Sequence, residues 1–256
     1  MSKWILRVFL AALAGAISAS CQARPEAVPV TQPAPSLLTV QASFALQPLE
    51  NDFHSCAGEL TGTALIVQDT PAAALNLDEA AIGLRWGLHE QPDYFAAEIG
   101  YEELAVIVHH TNPVEEISLE ELQAIYLGEQ TQPPFNEWMP WAYPKGDDVQ
   151  QVFESAVLQN RSPDSSVIHL APDPAAVLEA VAANPGAVGF LPARWLTAQA
   201  LPTPIMDEGL AGSVKVLPVK DLEAGQFRRP IVAMSRSEPN GPEKDWLLCL
   251  QDRLGE

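Results

Sequence analysis

Short β-prone apolar runs alternate along this chain with segments whose apolar residues recur at helical spacing. That alternation restricts the fold to an α/β architecture. Residues 37–40, 63–67, 81–84, 103–108, 187–191, 214–217 and 230–234 read as strands. Between them, Ser118 and Glu121 are spaced as a capping box that opens a helix through Tyr126, and Gly128 ends it. From residue 148 to 158, apolar Val149, Val152, Phe153, Ala156 and Val157 follow a helical period. Residues 174–183 start with proline and stop at Asn184-Pro185-Gly186, and 244–254 form a closing amphipathic helix. No internal repeat is visible.

The first twenty residues have a different character. Lys3 and Arg7 bracket a charged start, an apolar run follows from Val8 to Ile17, and Ser18-Ala19-Ser20 leads into Cys21. This is the layout of an export signal (1–20) whose apolar core is too short to span a membrane. Cys21 after small residues resembles a lipobox, with cleavage before the cysteine and lipid on its sulfur. Ser18 stands where leucine is usual, and an ordinary secreted protein with an incidental cysteine fits the same residues. Residues 21–36 hold four prolines and no aromatic side chain, a composition suited to an extended tether.

The 236 residues left after the signal are ample for a hydrophobic core. They keep 12 of the 14 basic residues against all 33 acidic ones, a formal charge of −21. Such a surface repels phosphate backbones, which excludes nucleic acid as a natural partner. With Cys21 taken by lipid, Cys56 and Cys249 remain as an even pair in an oxidising compartment, either as a disulfide or as two buried thiols.

Several segments together resemble one family. The strand run Glu103-Leu104-Ala105-Val106-Ile107-Val108 precedes Asn112-Pro113-Val114. Next comes Ile117-Ser118-Leu119-Glu120-Glu121-Leu122-Gln123-Ala124-Ile125-Tyr126-Leu127-Gly128. This is similar to the crossover strand and following helix of the phosphate-binding-protein-like solute receptors, type II periplasmic binding proteins that serve ABC importers. Asn184-Pro185-Gly186-Ala187-Val188-Gly189-Phe190 resembles that family's return strand, residues 38–49 its opening strand and ligand loop, and 229–250 its terminal strand and helix. The resemblance implies a two-lobed α/β type II fold with two crossover strands and ligand held in the cleft. Lobe 1 would comprise 37–108 plus 195–256, and lobe 2 would comprise 109–194. Cys56 on the first helix and Cys249 on the last would then share a lobe.

The resemblance also implies where ligand binds, and there the side chains depart from the family pattern. Ala42-Ser43-Phe44 stands in place of a Gly-Ser-Thr loop, so Ser43 remains a donor while Phe44 replaces a hydroxyl. Ala81 stands at the family's aspartate, and Gly146-Asp147-Asp148-Val149 stands where the family has a Gly-Ser-Gly-Thr loop of hydroxyl donors. Arg85 and Lys145 are the nearby cations. A carboxylate about 4 Å from an anion costs on the order of 4 kcal/mol at an effective dielectric near 20. That is nearly a thousandfold in affinity. Asp147 and Asp148 have a second reading as caps that complement the helix dipole.

Trp138, Trp141 and Tyr143 precede this loop and suit either a cleft lining or the core. His109 and His110 alternate across a strand and would point to opposite sides, which does not make a metal site. Without a serine elbow, Cys/His dyad or phosphate loop, the expectation is a non-enzyme without cofactor or metal. It would be an extracytoplasmic lipid-anchored solute-binding protein on the outer face of the cytoplasmic membrane or in the periplasm. Its ligand would be a small molecule or oxyanion, its partner an ABC permease. The alternative is a ligand-free envelope interaction or scaffolding protein on the same fold.

Overall fold

A computed structural model describes residues 35–87, 93–129, 133–197 and 212–255. The expected signal 1–20, Cys21 and the tether up to residue 34 lie outside the described residues.

The opening run extends to an eight-residue strand, β1 (Ser36–Ser43), which passes through a 3-10 helix, Phe44–Leu49, into α1 (Glu50–Gly58). Strand β2 (Thr63–Thr70) alternates between half-buried and exposed side chains, as an edge strand does, whereas all five residues of β3 (Ile82–Trp86) are buried. Both pair in parallel with β1.

Strand β4 (Phe95–His109) is fifteen residues long and runs through both halves of the sheet. After it come β5 (Ile117–Ser118), α2 (Leu119–Tyr126), β6 (Met139–Ala142), α3 (Asp148–Ala156), β7 (His169–Leu170), α4 (Pro174–Ala183) and β8 (Ala187–Pro192). The Ser118–Glu121 capping box forms, with Glu121 N–H donating to Ser118 Oγ and Ser118 N–H to Glu121 Oε2. The chain closes with β9 (Val214–Val216), β10 (Val219–Lys220), β11 (Arg228–Ser235) and α5 (Pro242–Leu254).

Strand order along the main sheet is β2-β1-β3-β11-β4-β8-β6-β7, with β9 also on β4. Residues 95–103 of β4 pair antiparallel with β11, residues 104–108 with β8, and 107–109 with β9. Two half-sheets thus share β4, which is one crossover. The antiparallel return from β9 to β11 alongside it is the second. Within the 195–256 range that the sequence reading groups with lobe 1, β9 and β10 pair with β4 and β5 in the second half.

Three fully buried tryptophans fasten these layers through indole N–H bonds to carbonyls. Trp86 donates to Arg229, Trp195 to Ala45 and Trp246 to Phe53, at 3.0–3.2 Å. Beside the last of these, Cys56 on α1 and Cys249 on α5 are joined by a disulfide. Among the described residues, no helix is long and apolar enough to cross a membrane.

Candidate functional site

In open sheets of this kind, ligands bind in the crevice outside the carboxyl ends of the strands. Strand β1 ends there at Ser43, and parallel β3 delivers Arg85 and Trp86 to the same edge. From the second half, β6 leads through Tyr143–Gly146 into the N-terminus of α3. Gly146 makes the turn at φ +94°, a conformation that disfavours side chains, and passes so close to Ala73 that an added Cβ would sit 3.2 Å from the alanine's.

Four of the groups singled out in the sequence meet here. Asp147 is the N-cap of α3, and its Oδ1 accepts the N–H groups of Val149 and Gln150 at 2.9 and 3.4 Å. Asp148, 0% exposed, accepts Trp86 N–H on Oδ2 at 2.9 Å and Val149 N–H on Oδ1 at 3.0 Å. Ser43, also 0% exposed, has no hydrogen bond of normal geometry, yet its hydroxyl lies near enough to Asp148 to favour the charged carboxylate. Arg85 is 4% exposed; its Nη2 donates to Gln151 Oε1 at 3.0 Å, and its Nε has no partner among the described residues.

Burial dominates the electrostatics. It lowers the Arg85 pKa, an effect opposed by the charges of Asp148 and Asp147. Asp147 is pushed up to about 7, first by burial and then by the charge of Asp148. Burial also raises Asp148, against the pull of Ser43, the Trp86 N–H and Arg85.

Beside this cluster lies a cavity of about 250 Å³. Arg85, Gln151, Asn76 and Gly146 supply its polar wall, and Leu75, Leu77 and Met234 much of the rest. Gln151 ties the wall together, since its Nε2 donates to the Gly146 carbonyl at 3.3 Å while its oxygen holds Arg85. The loop opposite is fixed by Gln41, whose Oε1 accepts Asn76 N–H at 2.7 Å. A larger depression of about 640 Å³ lies on the other side of Gln151. Its arginines are engaged elsewhere: Arg228 rests 4.5 Å above the Tyr101 ring, and Arg229 Nη1 donates to backbone carbonyls. The smaller cavity has the buried cation and is the better candidate.

Half-buried Phe44 and exposed Lys145 do not line that cavity, and neither do Trp138, Trp141 or Tyr143. Tyr143 is buried and donates to the Phe190 carbonyl, Trp141 stacks on His169, and Trp138 meets Phe135 edge-on. His109 and His110 differ from the alternation expected of a strand. Strand β4 ends at His109, the chain turns, and the two rings lie 4.4 Å apart. Among the described residues, no cluster of three or more His, Cys, Asp or Glu side chains is placed to hold a metal ion. Gln151, Asn76 and the Trp86 N–H were not singled out in the sequence. Backbone donors and amide side chains carry no motif of their own.

No family model matches the sequence, and no curated protein matches it. Solved structures do match the fold. One, described as a phosphate ABC transporter substrate-binding protein with bound phosphate from Clostridium perfringens, aligns with a TM-score of 0.68 at 16% identity. The match covers 84% of this chain and 93% of that one. An ABC-type phosphate transport receptor from Vibrio cholerae gives 0.60 at 18%, covering 84% and 94%. The CcmR regulatory domain of Synechocystis in complex with 2-PG gives 0.62 at 10%, covering 86% and 97%. The chain therefore has the two-lobed type II periplasmic binding protein fold, which transport receptors and regulatory domains share.

Proposed function

We propose that this chain is an exported, lipid-anchored solute-binding protein that presents a small polar ligand, other than phosphate, to an ABC permease. The observation that carries this reading is the cavity between the end of β3 and the start of α3, walled by a 96% buried arginine and two amide side chains. At about 250 Å³ it falls just below the usual range for drug-sized ligands, about 300–1,000 Å³, and suits a smaller solute. The fold of the transport receptors described above supports the same reading, as does the export signal with Cys21 at its end.

A thermal-shift panel of phosphate, sulfate, amino acids and sugars tests it. One uncharged or zwitterionic class should raise the midpoint, since ligand at a hundred times its Kd adds about 2.7 kcal/mol. No shift with any compound would overturn solute binding. It would favour an interaction or scaffolding role, a second reading prompted by the way Asp147 and Asp148 satisfy the site's own donors. Anchoring is tested separately: cells should incorporate labelled palmitate into the wild type and not into Cys21→Ser. Equal labelling would refute attachment at Cys21.

A further inference from the structure

Donors from two elements beside the cavity converge on a carboxylate that the chain itself supplies. Trp86 N–H from β3 and Val149 N–H from the first turn of α3 each take one oxygen of Asp148. Ser43 Oγ adds a hydroxyl beside the same carboxylate, the charge of Arg85 acts on it, and the buried Arg85 Nε has no hydrogen-bond partner among the described residues. A buried donor left unpaired is costly and rare, so Arg85 Nε needs an explanation. A tetrahedral anion presents oxygens in more directions than a planar carboxylate and would give that donor an acceptor. The arrangement of two backbone N–H groups, a hydroxyl, a guanidinium and a helix N-terminus is an anion cradle, underfilled by the side chain that occupies it.

We infer that Asp148 is a specificity-determining residue: it fills an oxyanion cradle from within, so that the adjoining cavity takes small uncharged molecules bearing a hydrogen-bond acceptor and refuses oxyanions. The charges of Asp148 and Asp147 already act on Arg85, so a further anion would meet two carboxyl groups beside the one cation. The cavity wall agrees, since Leu75, Leu77 and Met234 suit an apolar body, while Arg85, Asn76 and Gln151 suit one polar end. The ligand class assigned here rests on the solute-binding reading above. The role of Asp148 does not.

The test is calorimetric titration of the mature wild type, Asp148→Ser and Asp148→Gly with inorganic phosphate at pH 7.5. Serine is tolerated at a helix start and glycine empties the site, so at least one variant should keep a wild-type circular dichroism spectrum. Phosphate binding in that variant should be at least about 100-fold tighter than in the wild type, the scale set by removing a carboxylate about 4 Å away. Folded variants with no gain would overturn the inference. So would a wild type that binds an acid more tightly than the corresponding amide, a comparison that needs no variant at all. A gain in the variants with no solute bound by the wild type upholds Asp148's role and overturns the solute-binding reading. A solute bound by the wild type with no gain in the variants does the reverse.

Discussion

Asp147 and Asp148 are neighbours in sequence and share the Val149 N–H, but only Asp148 also accepts a donor from β3. Asp147 caps α3 and sits near its titration point, whereas Asp148 is surrounded by donors. The capping reading was available from residue type alone. The bond from Trp86 to Asp148 was not, because it joins residues 62 apart and uses a backbone donor. The raised pKa of Asp147 has a consequence for stability. Between about pH 4 and pH 7 the folded state holds a proton that the unfolded chain has released, so stability falls as pH rises through that window and levels off above it. Asp147→Asn keeps a good N-cap and removes the titration. Urea unfolding should find the variant less pH-dependent from pH 5 to pH 8, and more stable at pH 8 by on the order of 2 kcal/mol. Parallel stability curves for the two proteins would contradict this.

At the scale of elements, the helices and the apolar strands were legible and the composite strand was not. The α4 signals, proline at the start and Asn-Pro-Gly at the end, give the observed Pro174–Ala183. In β4, only residues 103–108 carry a strand signal. The preceding Phe-Ala-Ala-Glu-Ile-Gly-Tyr-Glu is rich in alanine, glutamate and glycine, which disfavour strands, and it is held extended by its ladder with β11. The two-residue strands β5, β7 and β10 are products of tertiary pairing and have no local signature. Gly100 shows why one poor strand former is present. A Cβ there would lie 2.5 Å from Leu254 Cβ and 2.7 Å from the Leu254 carbonyl oxygen, where α5 docks on β4. Gly100→Ala should cost about 1–3 kcal/mol in chemical denaturation. Gly58→Ala, with nothing within 4 Å of its added carbon, should change stability by less than about 1 kcal/mol. Equal effects at the two positions would refute close docking of α5.

For the whole molecule, the order of strands and helices was readable because each apolar run has its own period. The resemblance pointed to Ser43, Arg85, Asp147 and Asp148 around one cleft, but it gave no place to Asn76, Gln151 or the Trp86 N–H, whose approach depends on two half-sheets being joined through one strand. The Cys56–Cys249 disulfide ties α1 to α5 across 193 residues of sequence. On the chain-entropy model, a link over so long a loop stabilises by up to about 5 kcal/mol, and removal from natural proteins costs about 2–5 kcal/mol. Thermal unfolding with and without reductant should show a loss in that range. An unchanged midpoint would mean the cross-link contributes nothing to stability. The central proposal is that, on this type II fold, Asp148 holds the donors that an anion would otherwise take. Titration of the wild-type mature chain with inorganic phosphate at pH 7.5 tests this most directly. The account predicts a Kd weaker than about 1 mM, and a Kd below about 1 μM would contradict it.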